Sequence, residues 1–155
     1  LFSICDRENH FYMLGSMGLC SSIGLGLALT TNKSVVALEG DGALLMNLGT
    51  LATIGNRAPD NLILLVIDNG SYGSTGDQAT YTSEATSLAA VARGGGCQSV
   101  IECSGEDTVG VLVDALGAKQ PSVIISKVVP GNRPLPVVPL HPIVLRERFK
   151  KAIQM

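Results

Sequence analysis

Residues 62–70 read LILLVIDNG, six consecutive apolar residues followed at once by an Asp, an Asn and a Gly. A continuous run of Leu, Ile and Val is typical of a strand that is buried on both faces of a parallel sheet. The Asp-Asn-Gly that ends the run is a turn signal. A second, mostly apolar run over residues 34–38 leads into Gly40-Asp41-Gly42. We therefore predict two buried strands, each with a glycine-rich polar turn at its carboxyl end.

Helical and strand patterns alternate along the rest of the chain. We predict helices over residues 16–29, 43–54, 86–93, 104–116 and 143–153, further strands over residues 98–103 and 122–129, and a long loop over residues 71–85. Thr86 and Ser104 are the expected N-caps, and Gly24 and Gly26 are expected to allow close helix packing. This alternation is typical of an α/β fold, a doubly wound, mainly parallel sheet with helices on both faces.

The length and the termini predict one domain over residues 1–155. Because the chain begins at Leu1 and not at Met, we expect its natural N-terminal segment to be missing. Residues 131–142 contain four prolines and are expected to form an extended connector. Residues 131–155 are thus a Pro-rich connector followed by a C-terminal helix.

Composition excludes several classes of protein. Apolar residues make up 46% of the chain and charged residues only 15%, which excludes intrinsic disorder. The net charge is −2 with no basic block, so we expect no nucleic-acid partner. Residues 11–31 carry no Asp, Glu, Lys or Arg, but small polar residues dilute their apolar side chains, which predicts a core segment and no membrane span.

The cysteine pattern gives an expectation about the compartment. No two cysteines have the C-x2-C spacing of a zinc site, and they are too few for a secreted disulfide scaffold. We expect four small buried hydrophobic residues in a reducing, cytoplasmic setting. They are Cys5, Cys20, Cys97 and Cys103.

The two polar turns predict a binding site at one edge of the sheet. In doubly wound sheets, ligands bind beyond the carboxyl ends of the strands. Asp41 and Asn69 are oxygen donors, the ligand type that Mg²⁺ prefers, and a helix that begins near Ala43 would offer free N–H groups to a phosphate. The chemistry indicated is a divalent cation held between a diphosphate and two strand ends.

The Gly40-Asp41-Gly42 turn followed by Asn69 resembles the signature of thiamine-diphosphate-dependent enzymes. The resemblance implies the diphosphate-binding (PP) domain of that fold, with thiamine diphosphate and Mg²⁺ as cofactors. It implies Asp41, Asn69 and the main chain of Ser71 as metal ligands. Asp68 replaces an Asn found in many members, a difference expected to matter little, and Ala43 replaces a Ser that contacts the diphosphate in several. The implied cofactor-binding residues of this region are Gly40, Asp41, Gly42, Ala43, Asn69, Ser71, Tyr72 and Gly73.

A second match lies upstream, at Gly15-Ser16-Met17-Gly18. It resembles the turn of the same family that lies under the bridge between the two rings of the cofactor. The resemblance implies that Met17 wedges the cofactor into its bent conformation and that the Gly15 carbonyl accepts a hydrogen bond from its amino group, with Ser16 beside it. Bending brings that amino group close to the carbon it must deprotonate, so Met17 is the implied catalytic residue.

Longer stretches narrow the resemblance to a subfamily. Residues 11–18, 46–49, 69–76 and 144–149 are similar to the β subunits of sulfopyruvate decarboxylases. This implies a 2-oxoacid decarboxylase that converts 3-sulfopyruvate to sulfoacetaldehyde and CO2, on the route to coenzyme M. It also implies a partner α subunit that carries the pyrimidine-binding domain and its activating Glu, in an assembly of at least α2β2.

Two alternatives remain open. Phosphonopyruvate decarboxylases carry similar motifs, and would act on phosphonopyruvate instead. The other alternative is a noncatalytic nucleotide-binding or regulatory module with a Rossmann-like fold, since residues 24–26 read Gly-Leu-Gly. These glycines do not directly follow a strand, however, and no acidic residue ends a strand about 20 positions later, so the dinucleotide fingerprint is incomplete.

Overall fold

The computed structural model describes residues 1–131 and 135–154. These residues form two compact units. One unit runs from Gly18 to residue 131. The other comprises Leu1–Met17 and residues 135–154. The expectation of a single domain over the whole chain stays a prediction.

The secondary structure of the described residues follows the predicted alternation. The strands are β1 (Val35–Gly40), β2 (Leu62–Asp68), β3 (Ser71–Tyr72), β4 (Gln78–Ala79), β5 (Ser99–Ser104) and β6 (Ser122–Lys127). The helices are α1 (Cys20–Ala28), α2 (Asp41–Leu45), α3 (Gly49–Arg57), α4 (Leu88–Gly94), α5 (Thr108–Ala118) and α6 (Pro142–Ile153).

A four-stranded parallel sheet forms the centre of the larger unit, in the order β1-β2-β6-β5. Alternate side chains of β2 point to opposite faces. Leu62, Leu64 and Val66 pack in a cluster with side chains of α1, α2, α3 and α4. Ile63 and Leu65 pack with α5 on the other face. The predicted doubly wound sheet with helices on both faces is therefore confirmed.

Helix α1 begins at Cys20, four residues later than predicted. Gly18 has a φ of 88°, which is incompatible with a right-handed helix, so the turn before it cannot belong to α1. Gly24 lies against β1 as expected, because a Cβ at that position would be 2.7 Å from the Cβ of Ala37. A Cβ on Gly26 would meet nothing within 4 Å, so the expectation for Gly26 is wrong.

The predicted helix over residues 43–54 is two helices, α2 and α3, separated by a turn at residues 46–48. The side-chain amide of Asn47 donates hydrogen bonds to the Gly18 carbonyl and to Ser22 Oγ, at 3.0 Å each. These long-range bonds hold the turn in place. The helix is therefore interrupted where the chain must reach α1.

Two predicted N-caps are displaced along the chain. Ser87, and not Thr86, caps α4 by accepting a hydrogen bond from the amide of Ala90 at 3.1 Å. Strand β5 extends through Ser104, so α5 starts only at Thr108 with Asp107 in the N-cap position. Ser104 donates to Asp107 Oδ2 at 2.6 Å.

The predicted loop over residues 71–85 has structure of its own. Strands β3 and β4 pair as a short antiparallel ribbon, and a 3₁₀ turn follows at Tyr81–Ser83. Asp77 adopts a φ of 57° before β4. The ribbon returns the chain to the carboxyl ends of β1 and β2, where Thr80 donates its amide to the Gly70 carbonyl at 2.9 Å.

The four cysteines are all free thiols, but only Cys97 is buried. Cys20 and Cys103 are half-buried and Cys5 is exposed, so the expectation of four buried cysteines is wrong. Burial raises the pKa of the Cys20 thiol to about 11. That thiol is protonated at neutral pH.

The smaller unit contains α6, whose amide at Ile143 donates to the ring of His141 at 3.3 Å. Arg148 binds the Asp6 carboxylate with two hydrogen bonds of 2.7 and 2.9 Å, which ties α6 to the N-terminal residues of the chain. Residues 132–134 of the predicted connector lie outside the described residues. Within the described residues, no helix has the length and apolar character needed to cross a membrane.

Candidate cofactor and metal site

Asp41 and Asn69 lie at the same edge of the sheet. Asp41 directly follows Gly40, which is opposite Ile67 in the parallel pairing of β1 and β2. Asn69 comes two residues after Ile67, directly beyond the end of β2. The predicted juxtaposition of two strand ends is therefore present.

The carboxylate of Asp41 is 1% exposed, and two threonines hold one of its oxygens. Oδ2 accepts a hydrogen bond of 2.5 Å from Thr80 and one of 2.9 Å from Thr82. Both donors come from the segment that follows β4. The other oxygen, Oδ1, is not held by either threonine.

Asp68 is also buried, at 3% exposure, and its charge is compensated. Its Oδ2 accepts a hydrogen bond of 2.5 Å from the ammonium of Lys127, at the end of β6. Its Oδ1 lies 2.8 Å from the Thr82 hydroxyl and accepts a hydrogen bond from the Gly70 amide at 3.2 Å. The residue that replaces an Asn of the resembled family is thus an ion-pair partner of a neighbouring strand.

Asn69 and Ser71 form a tight turn. The side-chain oxygen of Asn69 accepts a hydrogen bond from the Ser71 amide at 3.1 Å, and Ser71 Oγ donates to Asp77 Oδ1 at 3.1 Å. The turn fixes the backbone between the two predicted ligands. Asn is common in such turns because its side chain can accept a hydrogen bond from the backbone two residues later.

The oxygen atoms at this corner fit a hard cation whose remaining ligands are phosphate oxygens and water. The described residues include no group of three or more His, Cys, Asp or Glu able to hold a metal ion. Asp41, Asn69 and the Ser71 carbonyl would supply one carboxylate, one amide and one peptide oxygen. Mg²⁺ takes such oxygen ligands together with phosphate oxygens and water.

Gly42 lets two side chains from the segment after β2 pack directly against the turn. A Cβ at this position would be 2.4 Å from Cε1 of the Tyr72 ring and 3.3 Å from the methyl group of Thr80. Tyr72, Gly73 and Ala43 are half-buried around it. The glycine is therefore required for Tyr72 and Thr80 to lie on the turn.

Gly15, Ser16 and Met17 belong to the smaller unit. Gly15 has a φ of 77°, and the Met17 side chain is 46% exposed. The next residue, Gly18, lies in the larger unit, where a Cβ would be 3.2 Å from the Ala43 carbonyl. The cofactor roles of residues 15–17 stay predictions.

Glu39 is a buried carboxylate one residue before the Gly40 turn, at 7% exposure. Burial raises its pKa, and the neighbouring Ser21 opposes that rise. Neither of its oxygens meets hydrogen-bond geometry with a partner among the described residues, and the same holds for Ser21 Oγ. This pair lies on the α1 side of β1.

Sequence reasoning missed Thr80, Thr82, Lys127 and Asn47. The first two sit in a segment without periodicity, far along the chain from Asp41. Lys127 gave one usable signal, since a lysine that ends a buried apolar strand lies at the ligand edge of a parallel sheet.

Comparison with protein families gives a match over most of the chain. Residues 2–126 match the family described as thiamine pyrophosphate enzyme, C-terminal TPP binding domain. Thiamine pyrophosphate is another name for thiamine diphosphate.

Curated relatives cover nearly the full chain. It is 47% identical to a sulfopyruvate decarboxylase subunit beta of Methanocaldococcus jannaschii, over 99% of this chain and 82% of that protein. It is 46% identical to the subunit of the same name from Methanococcus maripaludis, over 99% and 83%. A phosphonopyruvate decarboxylase of Streptomyces viridochromogenes is 44% identical over 85% of this chain but only 33% of that protein.

Solved structures show the same fold. One is a putative thiamin diphosphate-dependent enzyme from Mycobacterium smegmatis, which matches with a TM-score of 0.61 at 22% identity. The match covers 76% of this chain and 23% of that one. Benzoylformate decarboxylase from Polynucleobacter necessarius matches with a TM-score of 0.58 at 20% identity, over 78% and 25%. The chain thus spans about a quarter of the length of these two proteins.

Proposed function

Because the chain belongs to the thiamine pyrophosphate enzymes, through their C-terminal TPP-binding domain, we propose that it is the β subunit of a decarboxylase that converts 3-sulfopyruvate to sulfoacetaldehyde and CO2. The relatives at 46–47% identity carry the sulfopyruvate decarboxylase name. The observation that carries the proposal is the corner where Asp41 and Asn69 end two adjacent parallel strands.

In the proposed site, Asp41, Asn69 and the Ser71 carbonyl would hold Mg²⁺, which would neutralise the charge of the diphosphate. The chemistry of these residues supports the metal, because all three proposed ligand atoms are oxygens, the type that Mg²⁺ prefers. Gly40, Gly42, Ala43, Tyr72 and Gly73 line the diphosphate.

Bound thiamine diphosphate supplies an electron sink for the C–C bond that breaks when a 2-oxoacid loses CO2. The contribution proposed for this chain is to hold the cofactor in one conformation. With the cofactor bound, the Gly15 carbonyl would accept a hydrogen bond from its amino group, and Met17 would hold its two rings in the bent conformation. Ser16 lies between them and is half-buried.

The proposed partner is an α subunit that supplies the pyrimidine-binding domain and its activating Glu. The relatives are named as subunits beta, which supports a second kind of chain. Met46, at 63% exposure, and Leu19 are apolar side chains of the larger unit that solvent reaches. A partner that covers them would explain their apolar character. The proposed assembly contains at least two copies of each chain, α2β2.

Phosphonopyruvate is the second candidate substrate, because a phosphonopyruvate decarboxylase is 44% identical over 85% of the chain. The test compares CO2 release from 3-sulfopyruvate and from phosphonopyruvate by the assembled α and β chains. We expect a higher kcat/KM for sulfopyruvate. A higher kcat/KM for phosphonopyruvate would assign the protein to the other substrate, and release from neither would refute the decarboxylase assignment.

A further inference from the structure

The hydroxyl of Thr82 lies between the two buried carboxylates of the site. Its Oγ1 is 2.9 Å from Asp41 Oδ2 and 2.8 Å from Asp68 Oδ1. It is also 2.9 Å from the hydroxyl of Thr80. One side chain, from the 3₁₀ turn after β4, therefore joins the ends of β1 and β2.

Thr82 has two carboxylates within hydrogen-bond distance but can donate its hydroxyl proton to only one of them at a time. A hydroxyl has a single proton to donate, while an ionised carboxylate only accepts. Thr80 donates its own proton to Asp41 at 2.5 Å. The one proton of Thr82 is then contested by two carboxylates.

Lys127 resolves this competition. The pairing of β2 with β6 places Lys127 opposite Asp68, and its ammonium binds Asp68 Oδ2 at 2.5 Å. The Gly70 amide adds a donor to Asp68 Oδ1 at 3.2 Å. With Asp68 satisfied in this way, the Thr82 proton is available to Asp41.

We propose that Thr82 is a positioning residue for the metal ligand Asp41, and that the Asp68–Lys127 pair leaves its proton free for this task. Thr80 and Thr82 together fix Oδ2, so that Oδ1 is presented to the divalent cation without a change of rotamer. Partners of this kind in metal sites fix the orientation of a ligating group before the metal arrives. The inference rests on the proposed function, since it assumes that Asp41 binds Mg²⁺.

Thr82→Val tests the proposal, because it keeps the shape of the side chain and removes the hydroxyl. The measurement is the Mg²⁺ concentration that half-saturates thiamine diphosphate binding by the assembled α and β chains, followed by calorimetry. We expect this concentration to rise by about 10-fold or more, the size of effect typical of a lost partner of a metal ligand. Thr82→Ser keeps the hydroxyl and should stay within about 2-fold of the unmodified protein.

Thr75→Val is the matched control. It is the same chemical change in the same segment, and among the described residues the Thr75 hydroxyl bonds to the Tyr72 carbonyl and to Gln78. It should leave the Mg²⁺ requirement unchanged. At saturating Mg²⁺ the kcat of Thr82→Val should return close to that of the unmodified protein, which separates weakened metal binding from a damaged site.

Three outcomes separate the hypotheses. An unchanged Mg²⁺ requirement in Thr82→Val overturns the positioning role while leaving the proposed function intact. Equal losses in Thr82→Val and Thr82→Ser, accompanied by equal drops in Tm, also overturn it, since they indicate packing alone. If the unmodified complex shows no Mg²⁺-dependent binding at all, it is the proposed function that fails.

Discussion

Asp41 is the single charged side chain in the proposed metal-ligand set, so its removal should have the largest effect of any residue in that set. Asp41→Ala should abolish Mg²⁺-dependent binding of thiamine diphosphate, because the cation would lose the only charge that this chain contributes to holding it. Asn69→Ala should weaken binding less, since a neutral ligand contributes less to holding a divalent cation. Calorimetric titration with the cofactor and Mg²⁺ measures both. Asp60→Ala, which removes an exposed carboxylate elsewhere on the unit, is the control and should bind normally. Unchanged affinity in Asp41→Ala would refute the assignment.

The sequence predicted the site residues that directly follow strands. It did not predict those that contact them from a distant segment of the chain. Asp41 and Asn69 were predictable because a parallel sheet brings consecutive strand ends together. Thr80 and Thr82 were not, because their contacts depend on the path of the ribbon formed by β3 and β4. No periodicity or spacing specifies that path. The sequence also did not predict the partners of Asp68, which accepts hydrogen bonds from the Gly70 amide and the Lys127 ammonium.

The contact between α1 and β1 gives a prediction at the scale of elements. Gly24→Ala would place a Cβ 2.7 Å from that of Ala37, a side chain with no rotamer to change, so the helix must move from the strand. We expect a loss of about 1–3 kcal/mol in the free energy of unfolding, the usual cost of overpacking. Gly26→Ala is the matched control in the same helix. It enters open space and should stabilise the protein by up to about 1 kcal/mol through helix propensity. Urea denaturation of both variants checks the difference, and equal stabilities would contradict the packing described for Gly24.

The elements that the sequence predicted well are those whose pattern is local. Strand β2 was predicted almost to the residue because an unbroken apolar run has one favourable environment, the centre of a sheet. The break between α2 and α3 was not predictable. Its cause is Asn47, whose side-chain amide binds Ser22 on α1 and the carbonyl of Gly18 just before that helix, and residues 43–54 alone have ordinary helical composition. The caps at Ser87 and Asp107 differ from prediction for a similar reason, since strand and helix ends depend on where the neighbouring element stops.

For the molecule as a whole, the alternation of strands and helices was sufficient to predict the doubly wound sheet. Within the described residues, the one carboxylate buried next to the Gly40 turn, other than the proposed ligand and Asp68, is Glu39. Glu39 points to the α1 side of β1, where it contributes to the interior of the unit. In the proposed function the activating Glu comes from the partner α subunit, as the resemblance to thiamine-diphosphate-dependent enzymes implies.

The chain by itself should then be catalytically inactive. Purified alone, it is expected to bind thiamine diphosphate weakly and to release no CO2 from 3-sulfopyruvate, because the proposed site receives its activating carboxylate from another subunit. Addition of the α subunit should restore both cofactor binding and CO2 release. Met46→Glu offers a structural check, since it places a charge at an exposed apolar position of the larger unit without altering a proposed metal ligand. If the partner covers that position, this variant should weaken the association of the two chains by sedimentation analysis, while Glu106→Lys, an exposed charge change in the turn before α5, should not. Rapid CO2 release by the isolated chain would show that the activating carboxylate lies within it, and the proposal of a site completed by a second subunit would be wrong.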